Sequence, residues 1–231
     1  MDARGKGAIG VIFDCDGTLI DSMNAWRDME ADFARRAGGE LSRADRDLLT
    51  TLTTPEAGRF FHEKFGLGAS ADEVVCMVND YMLDFYSTRA VARPGALSFV
   101  RGLAERGARL SVASSSPIAF LRAGLGHTGF APYLDAVVSV DDVGKPKREP
   151  DVYQRARNLM GTNLPATWGV EDAVYAIGTL SRAGFHTLAV YDCDASGTFE
   201  ELSRAAERTV RDFGELDAGE FLEYARSVAA S

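Results

Sequence analysis

Cysteine is scarce in this sequence. Cys15, Cys76 and Cys193 are the three cysteines among 231 residues. Their number is odd and their spacing matches no metal-binding pattern, so neither a disulfide framework nor a zinc site is indicated. We therefore expect three reduced thiols.

Long apolar runs are also missing. No uninterrupted apolar stretch reaches the roughly 20 residues that a membrane-spanning helix needs. The first residues, Met-Asp-Ala-Arg-Gly-Lys-Gly, lack the apolar segment of a signal peptide. We therefore expect no membrane partner and a cytoplasmic location. The hydrophobic content of 46% is nevertheless enough to build a sizeable core.

Basic residues are fewer than acidic residues in this sequence. Lysine and arginine number 25 against 34 acidic residues, which gives a net charge of -9. This balance argues against nucleic acid or an anionic membrane surface as the main partner. A phosphorylated substrate would instead require a local concentration of positive charge.

A glycine pattern near the start has to be set aside. Residues 5–10 spell Gly-x-Gly-x-x-Gly, the spacing found in dinucleotide-binding loops. That loop follows a strand and opens a helix, whereas this one precedes the first predicted strand. We therefore expect no nucleotide cofactor.

Periodicity divides the sequence into two parts. Residues 23–92 show helical spacing, with Ser22 and Thr54 as expected helix caps, and Arg93-Pro94-Gly95 as the expected return. From there apolar strands alternate with helices. The sequence thus predicts an α/β fold: a Rossmann-like, mostly parallel sheet core from residues 1–22 and 93–231, with an all-helical cap domain, residues 23–92, inserted into it.

Two carboxylates follow the first predicted strand. Residues 11–19 read Val-Ile-Phe-Asp-Cys-Asp-Gly-Thr-Leu, an apolar run ending at Asp14 and Asp16. Side chains alternate along a strand, so both aspartates are expected on the same side, with Cys15 opposite. Two like charges this close stay ionised only beside a cation or strong donors. A divalent metal is the simplest such partner, although a polar turn closing a strand is the ordinary interpretation of this pattern.

Three later strand ends carry further polar groups. Ser114 ends an apolar strand, although Ser115 or Ser116 can equally be a cap for the helix that follows. A basic loop over residues 143–151 precedes another helix, and a solvated charge run is its ordinary explanation. Glu171 and Asp172 end a further strand. In a parallel sheet these ends lie at one edge, where ligands bind.

Together these four segments resemble the motifs of the haloacid dehalogenase superfamily, in the phosphatase branch with a helical cap. The first motif of that family is Asp-x-Asp-Gly-Thr-Leu followed by Asp-Ser, as in residues 14–22 here. The resemblance implies that Asp14 is the nucleophile and Asp16 a general acid and base. It also implies that Ser114 holds a phosphoryl oxygen.

The third motif of the family implies a catalytic lysine. In relatives this lysine lies four residues before the Asp of a Pro-Asp pair, a count that selects Lys147 over Lys145. Its ammonium would neutralise Asp14 and the phosphoryl group. Arg148 occupies the position where many relatives have proline, so the Lys145-Pro146 pair leaves the other register open.

The fourth motif implies the cofactor. Asp172 is the better ligand candidate for Mg²⁺, and Glu171 is expected to bind either directly or through water. Asp14 and the main-chain carbonyl of Asp16 would complete the protein ligands, since carboxylate and carbonyl oxygens suit magnesium. Ala173 stands where a serine is often found, which removes no ligand.

Asp16 also bears on the reaction. Dehalogenase members of the family lack this residue, so its presence favours phosphoryl transfer: hydrolysis of a small phosphate monoester through an aspartyl-phosphate intermediate. A phosphomutase acting on a sugar phosphate is the alternative, although mutase relatives carry a histidine on the first cap helix, where this sequence has Trp26. A second alternative is a non-catalytic module that binds a phosphorylated metabolite. Candidate substrate contacts are Thr18, Ser115, Trp26, Arg27 and Arg59.

Overall fold

A computed structural model describes residues 7–49, 52–193 and 196–230 of the chain. These residues form two compact units: a helical unit, Ser22–Arg89, and a core unit made of the rest of the described chain. The domain ends expected from the sequence, after residue 22 and before residue 93, stay a prediction. Residues 5 and 6 of the glycine pattern lie outside the described residues, and Gly10 opens the first strand.

The core unit is built on one sheet of six parallel strands. In space their order is β3-β2-β1-β4-β5-β6. The strands are β1 (Gly10–Phe13), β2 (Arg109–Ser114), β3 (Ala136–Ser139), β4 (Thr167–Glu171), β5 (His186–Val190) and β6 (Arg208–Val210). Helices connect them, so the predicted Rossmann-like α/β class is confirmed.

Strand β1 is central in the sheet, between β2 and β4, and both of its faces are covered. Ile12 packs in a cluster with Val152 and Tyr153, whereas Phe13 lies 6.4 Å from Phe213, ring centre to ring centre. Alternate residues of a strand face opposite sides, so a strand buried on both sides has to be apolar throughout. This explains why residues 10–13 form a short continuous apolar run rather than an alternating one.

Six helices accompany the sheet: α5 (Ala96–Glu105), α6 (Ile118–His127), α7 (Asp151–Met160), α8 (Val174–Arg182), α9 (Phe199–Ala205) and α10 (Ala218–Ala229). The last element predicted from the sequence ends at Tyr191, so β6, α9 and α10 were not predicted. Helix-start signals were present, since Thr198 accepts a hydrogen bond from Glu201 N–H and the Asp217 carboxylate accepts from Glu220 N–H.

The helical unit contains α1 (Met23–Arg36), α2 (Arg43–Leu49), α3 (Thr54–Phe65) and α4 (Ala71–Thr88). Its core is aromatic, with Phe33 lying 5.8 Å from Phe61 and 6.3 Å from Tyr81 between ring centres. Such edge-to-face ring pairs stabilise the fold beyond the contribution of apolar burial. None of the described helices combines the length and apolar character needed to cross a bilayer.

Of the two expected helix caps, Thr54 is wrong by one residue, whereas Ser22 does lie at the N-cap. Thr54 is the first residue of α3, and Thr53 before it forms the cap, with its N–H and hydroxyl both donating to the Glu56 carboxylate at 2.8 and 2.7 Å. Ser22 is the N-cap residue of α1, but its side chain makes no capping hydrogen bond to the helix. The sequence identified each helix start to within one residue, which is the usual precision of such boundaries.

Candidate active site

Asp14 lies directly beyond the carboxyl end of β1. Its N–H donates to the carbonyl of Val170 on β4 at 2.9 Å, which fixes the backbone where the chain leaves the sheet. The side chain is buried and accepts a hydrogen bond from Lys147. Burial raises the pKa of Asp14 well above its usual range, against the opposing effect of Lys147, and neighbouring carboxylates raise it further.

Asp16 has a different partner. The hydroxyl of Ser116 donates to Asp16 Oδ2 at 2.6 Å. β1 ends at Phe13, so the two aspartates lie beyond the strand, in a loop where the chain turns at Gly17 with a φ of +81°. A Cβ at Gly17 would come within 2.8 Å of Asp172 Oδ2, so the close approach of this loop to Asp172 requires glycine.

Ser114 ends β2 and is buried, and its hydroxyl accepts from the N–H of Ser116 at 3.0 Å. Ser139, at the end of β3, donates its hydroxyl to the Ser116 carbonyl at 2.8 Å. The expectation that Ser115 or Ser116 caps α6 is wrong, since Pro117 is at the N-cap and no side chain caps the helix. Ser116 was not among the predicted site residues, although the run of three serines was the available signal.

Lys147 is the cation at the centre of the site. Its side chain is only 3% exposed and donates to Asp14 Oδ1 and, at 2.7 Å, to Glu171 Oε1. Burial lowers the pKa of Lys147, but the charges of Asp14 and Glu171 outweigh burial and raise it above its usual value. By contrast, Lys145 is 54% exposed and lies 3.3 Å from Asp151. Of the two lysines, the structure therefore brings Lys147 to Asp14.

Tyr153, on the first turn of α7, is a further residue of the site that the sequence interpretation missed. Its hydroxyl donates to Glu171 Oε1 at 2.7 Å, the oxygen that also accepts from Lys147. The ring is buried, and burial followed by the charge of Glu171 raises the pKa of Tyr153 well above its usual value. The Pro-Asp pair that placed Lys147 stands only two residues before Tyr153, but an apolar position on a helix gives no sign of a hydroxyl contact.

Three carboxylates converge closely enough to share one metal ion. Oxygens of Asp14, Glu171 and Asp172 lie within 4.8 Å of one another, and all three residues are buried. Burial, and then the charge of Glu171, raise the pKa of Asp172 to about 7, although the Ser196 side chain donates to it. The Asp16 side chain is not part of this group, which is consistent with an expected contribution from its main chain only.

Comparison with known proteins decides the family. Residues 10–184 match the family described as haloacid dehalogenase-like hydrolase. The chain belongs to this family. The expected resemblance to its phosphatase branch, and the assignment of the chain as a phosphoric monoester hydrolase, are therefore confirmed.

Two phosphatases are similar to this haloacid dehalogenase-like hydrolase over most of their length. Validoxylamine A 7'-phosphate phosphatase from Streptomyces hygroscopicus subsp. limoneus is 29% identical over 175 residues, which is 75% of this chain and 81% of that protein. Hexitol phosphatase A from Escherichia coli (strain K12) is 27% identical over 182 residues, 78% of this chain and 82% of its own.

Among solved structures, CbbY from Rhodobacter sphaeroides in complex with phosphate superposes with a TM-score of 0.79 and 21% identity. The match covers 94% of this chain and 99% of that one. At this level of identity the likeness shows the fold. It extends over almost the whole of this haloacid dehalogenase-like hydrolase, including C-terminal elements that lie beyond the family match.

The remaining candidate substrate contacts are divided between the two units. Thr18 is fully buried, and Ser115 is exposed beside Ser114. The other three are in the helical unit, where Trp26 Nε1 donates to the Tyr86 hydroxyl at 3.2 Å and Arg27 donates to Asn24 at 2.9 Å. Arg59 is exposed on α3. A role in substrate binding stays a prediction for all five.

Proposed function

We propose that this haloacid dehalogenase-like hydrolase is a magnesium-dependent phosphatase, which hydrolyses a small phosphate monoester through an aspartyl phosphate on Asp14. One observation carries the proposal: a buried lysine joins the candidate nucleophile to Glu171, beside a third carboxylate that can share one cation with both. With a cation held by these carboxylates, Lys147 and the ion together would neutralise an anion next to the nucleophile.

Charge balance supports a divalent ion. Asp14, Glu171 and Asp172 are buried carboxylates, and Lys147 is the buried ammonium among them. A dianionic phosphate ester would add to the negative excess, since buried charges are stable only when paired. Carboxylate oxygens suit Mg²⁺, which would be held by Asp14 and Asp172 with the Asp16 carbonyl, and which supplies charge neutralisation of the phosphoryl oxygens when bound. One oxygen of Glu171 already accepts hydrogen bonds from Lys147 and Tyr153.

The chain's own residues divide the chemistry between them. Asp14 attacks phosphorus in line, and the bond from phosphorus to the leaving oxygen breaks as Asp16 gives that oxygen a proton. Asp16, now ionised, takes a proton from the water that attacks the aspartyl phosphate and releases phosphate. Ser116 donates to Asp16 Oδ2, which holds the carboxyl group in one orientation throughout. Lys147 and Ser114 contact the phosphoryl oxygens.

Hydrolysis is favoured over transfer to a second sugar phosphate. The helix α1, Met23–Arg36, contains no histidine, the residue that mutase relatives carry on the first cap helix. A non-catalytic binding module is disfavoured because Asp14, Asp16, Ser114 and Lys147 are all present, and a binding function would not require a nucleophile beside an acid.

The names of two relatives support a proposal for the substrate class. One acts on validoxylamine A 7'-phosphate and another on hexitol phosphates, as their names state. Both names describe small phosphorylated compounds, and we propose a cytoplasmic phosphate monoester of this kind as the substrate of this chain. The helical unit is proposed as the cap that recognises the leaving group, with Trp26, Arg27 and Arg59 as candidate contacts.

The experiment is a screen of small phosphate monoesters with purified protein, following release of inorganic phosphate. Activity should require Mg²⁺, disappear in chelator and return when Mg²⁺ is restored. Excess Ca²⁺ should inhibit, because its larger and more variable coordination shell lets Asp14 bind through both oxygens and leaves none in line for attack. Full activity in chelator would refute the metal assignment. Phosphate appearing on a second sugar, without release of inorganic phosphate, would favour the mutase.

A further inference from the structure

Asp192 is a buried carboxylate that the mechanism above does not use. It follows β5 by two residues and its side chain is 8% exposed. Oδ1 accepts from the guanidinium of Arg93, which also donates to the carbonyl of Tyr191 at 2.7 Å. Among the residues that the structure describes, Asp192 Oδ2 has no hydrogen-bond partner. One oxygen of this carboxylate is therefore buried without a hydrogen-bond donor.

The free oxygen lies beside the same glycine that Asp172 approaches. A Cβ placed on Gly17 would lie 2.8 Å from Asp172 Oδ2 and 3.4 Å from Asp192 Oδ2. The two carboxylates therefore approach the same position above the Gly17 backbone, one from the end of β4 and the other from the end of β5. The charge of Asp192 is also among the causes that raise the pKa of Asp172.

This placement is unfavourable without a cation. A buried acceptor without a donor is destabilising, and more so when it is charged. A second carboxylate facing the first adds repulsion. Arg93 offsets the charge on one side of Asp192 only, because its guanidinium is directed at Oδ1 and at Tyr191. A simple ion pair with Arg93 would not require Oδ2 to lie buried beside the glycine that Asp172 also approaches.

We propose that Asp192 is a further residue of the cation site, in which Oδ2 accepts a hydrogen bond from a water molecule bound to the ion. The contact is through water because the group of oxygens close enough to share one ion consists of Asp14, Glu171 and Asp172, without Asp192. Mg²⁺ keeps several of its waters, and those waters need acceptors around the site. The inference rests on the proposed metal dependence.

The test is Asp192→Asn, with Mn²⁺ as the probe. The side-chain carbonyl of asparagine can still accept from Arg93, and its amide replaces the free acceptor by a donor. Mn²⁺ binding is followed by electron paramagnetic resonance on the protein without substrate, so the readout does not depend on turnover. The dissociation constant should rise on the order of 10-fold, the lower end of the range for residues that orient metal ligands. Activity should need correspondingly more Mg²⁺, with kcat recovered at saturation.

Asp135→Asn is the matched control. Asp135 also pairs with an arginine, Arg109, at 2.9 Å, and its side chain is 24% exposed. It precedes β3, at the edge of the sheet opposite the site, and its carboxylate accepts from Leu110 N–H at 2.8 Å. The variant removes one negative charge from an Arg–Asp pair without touching the cation site. Its Mn²⁺ affinity should equal that of the unchanged protein.

Three outcomes overturn the inference. If Asp192→Asn binds Mn²⁺ as tightly as the unchanged protein, Asp192 only anchors Arg93. If Asp135→Asn weakens binding equally, the effect is one of net charge. If the unchanged protein binds no Mn²⁺, the proposed metal dependence fails together with the role of Asp192. In the first outcome the unchanged protein does bind Mn²⁺, so the two failures can be told apart. Should Asp192→Asn not fold, the double variant Arg93→Gln/Asp192→Asn replaces the ion pair by an amide pair and is measured in the same way, with the same criteria.

Discussion

The ammonium of Lys147 donates to Glu171 Oε1 at 2.7 Å while it also donates to Asp14. The Tyr153 hydroxyl donates to the same oxygen of Glu171, also at 2.7 Å. Glu171 is therefore held from two sides, and the position of the lysine on the nucleophile depends on it. This makes Glu171 a residue that positions Lys147 as well as a member of the metal cluster.

Lys147→Ala should remove about 3 kcal/mol of transition-state stabilisation, or 10²–10³-fold in kcat/KM, because a preorganised cation beside the developing charge is lost. Lys145→Ala is the matched control, since it removes the same charge from the same loop at an exposed position. Its effect should stay within about 0.5 kcal/mol. The measurement is kcat/KM of both variants on one substrate. A larger loss of kcat/KM in Lys145→Ala than in Lys147→Ala would show that Lys145 is the catalytic lysine.

Tyr153→Phe should leave Glu171 with a single donor. We expect stability to fall by about 1 kcal/mol, the usual net value of one hydrogen bond, and kcat to fall about tenfold as Lys147 becomes less well positioned, with KM little changed. Urea unfolding and steady-state kinetics measure the two effects separately. A loss of stability with an unchanged kcat would mean that Tyr153 serves the fold alone.

Asp14→Asn should abolish turnover, because an amide cannot form the acyl phosphate. Asp16→Asn should also lose activity, but least with nitrophenyl phosphate, whose leaving group needs no proton. The ratio of kcat/KM between nitrophenyl phosphate and an alkyl phosphate is the measurement. Equal losses on both substrates would contradict the acid role of Asp16. Turnover by pure Asp14→Asn protein, free of deamidation, would contradict the nucleophile.

Glu30, in the helical unit, should make stability depend on pH. Burial raises the pKa of its carboxyl group from 4.5 to about 7, against the lowering effect of Arg27 and Arg46. Between those two pH values the folded protein keeps a proton that the unfolded chain has released, so the free energy of unfolding falls as pH rises through this window. Above it, the ionised and half-buried carboxylate is a net cost.

Glu30→Gln removes that titration. At pH 8 the variant should exceed the unchanged protein in free energy of unfolding by about 1–2 kcal/mol, a value reduced for partial exposure, and at pH 4 the two should be equal. Urea unfolding at both pH values is the measurement, with Glu63→Gln as an exposed control in the same unit. A difference of the same size at pH 4 and pH 8 would exclude the titration of Glu30 as its cause.

Local pattern was enough to locate the strand ends and most helix starts. Apolar runs and turn residues act over a few positions of the chain, so the sequence identified β1, β2 and β4 and placed Asp14, Ser114 and Asp172 at or just beyond their carboxyl ends. The C-terminal β6 was missed because a strand of three residues with polar neighbours has almost no periodicity.

By itself the sequence determined the family, the α/β class and the chemical types at the sheet edge, since these follow from short motifs and from the order of elements. Only the tertiary structure decided which groups meet. Ser116 donates to Asp16 and Tyr153 donates to Glu171, and these contacts join residues 100 and 18 positions apart. Asp192 and Asp172 both approach Gly17. The packing of separate strand ends sets such contacts, and no local pattern of residues encodes them.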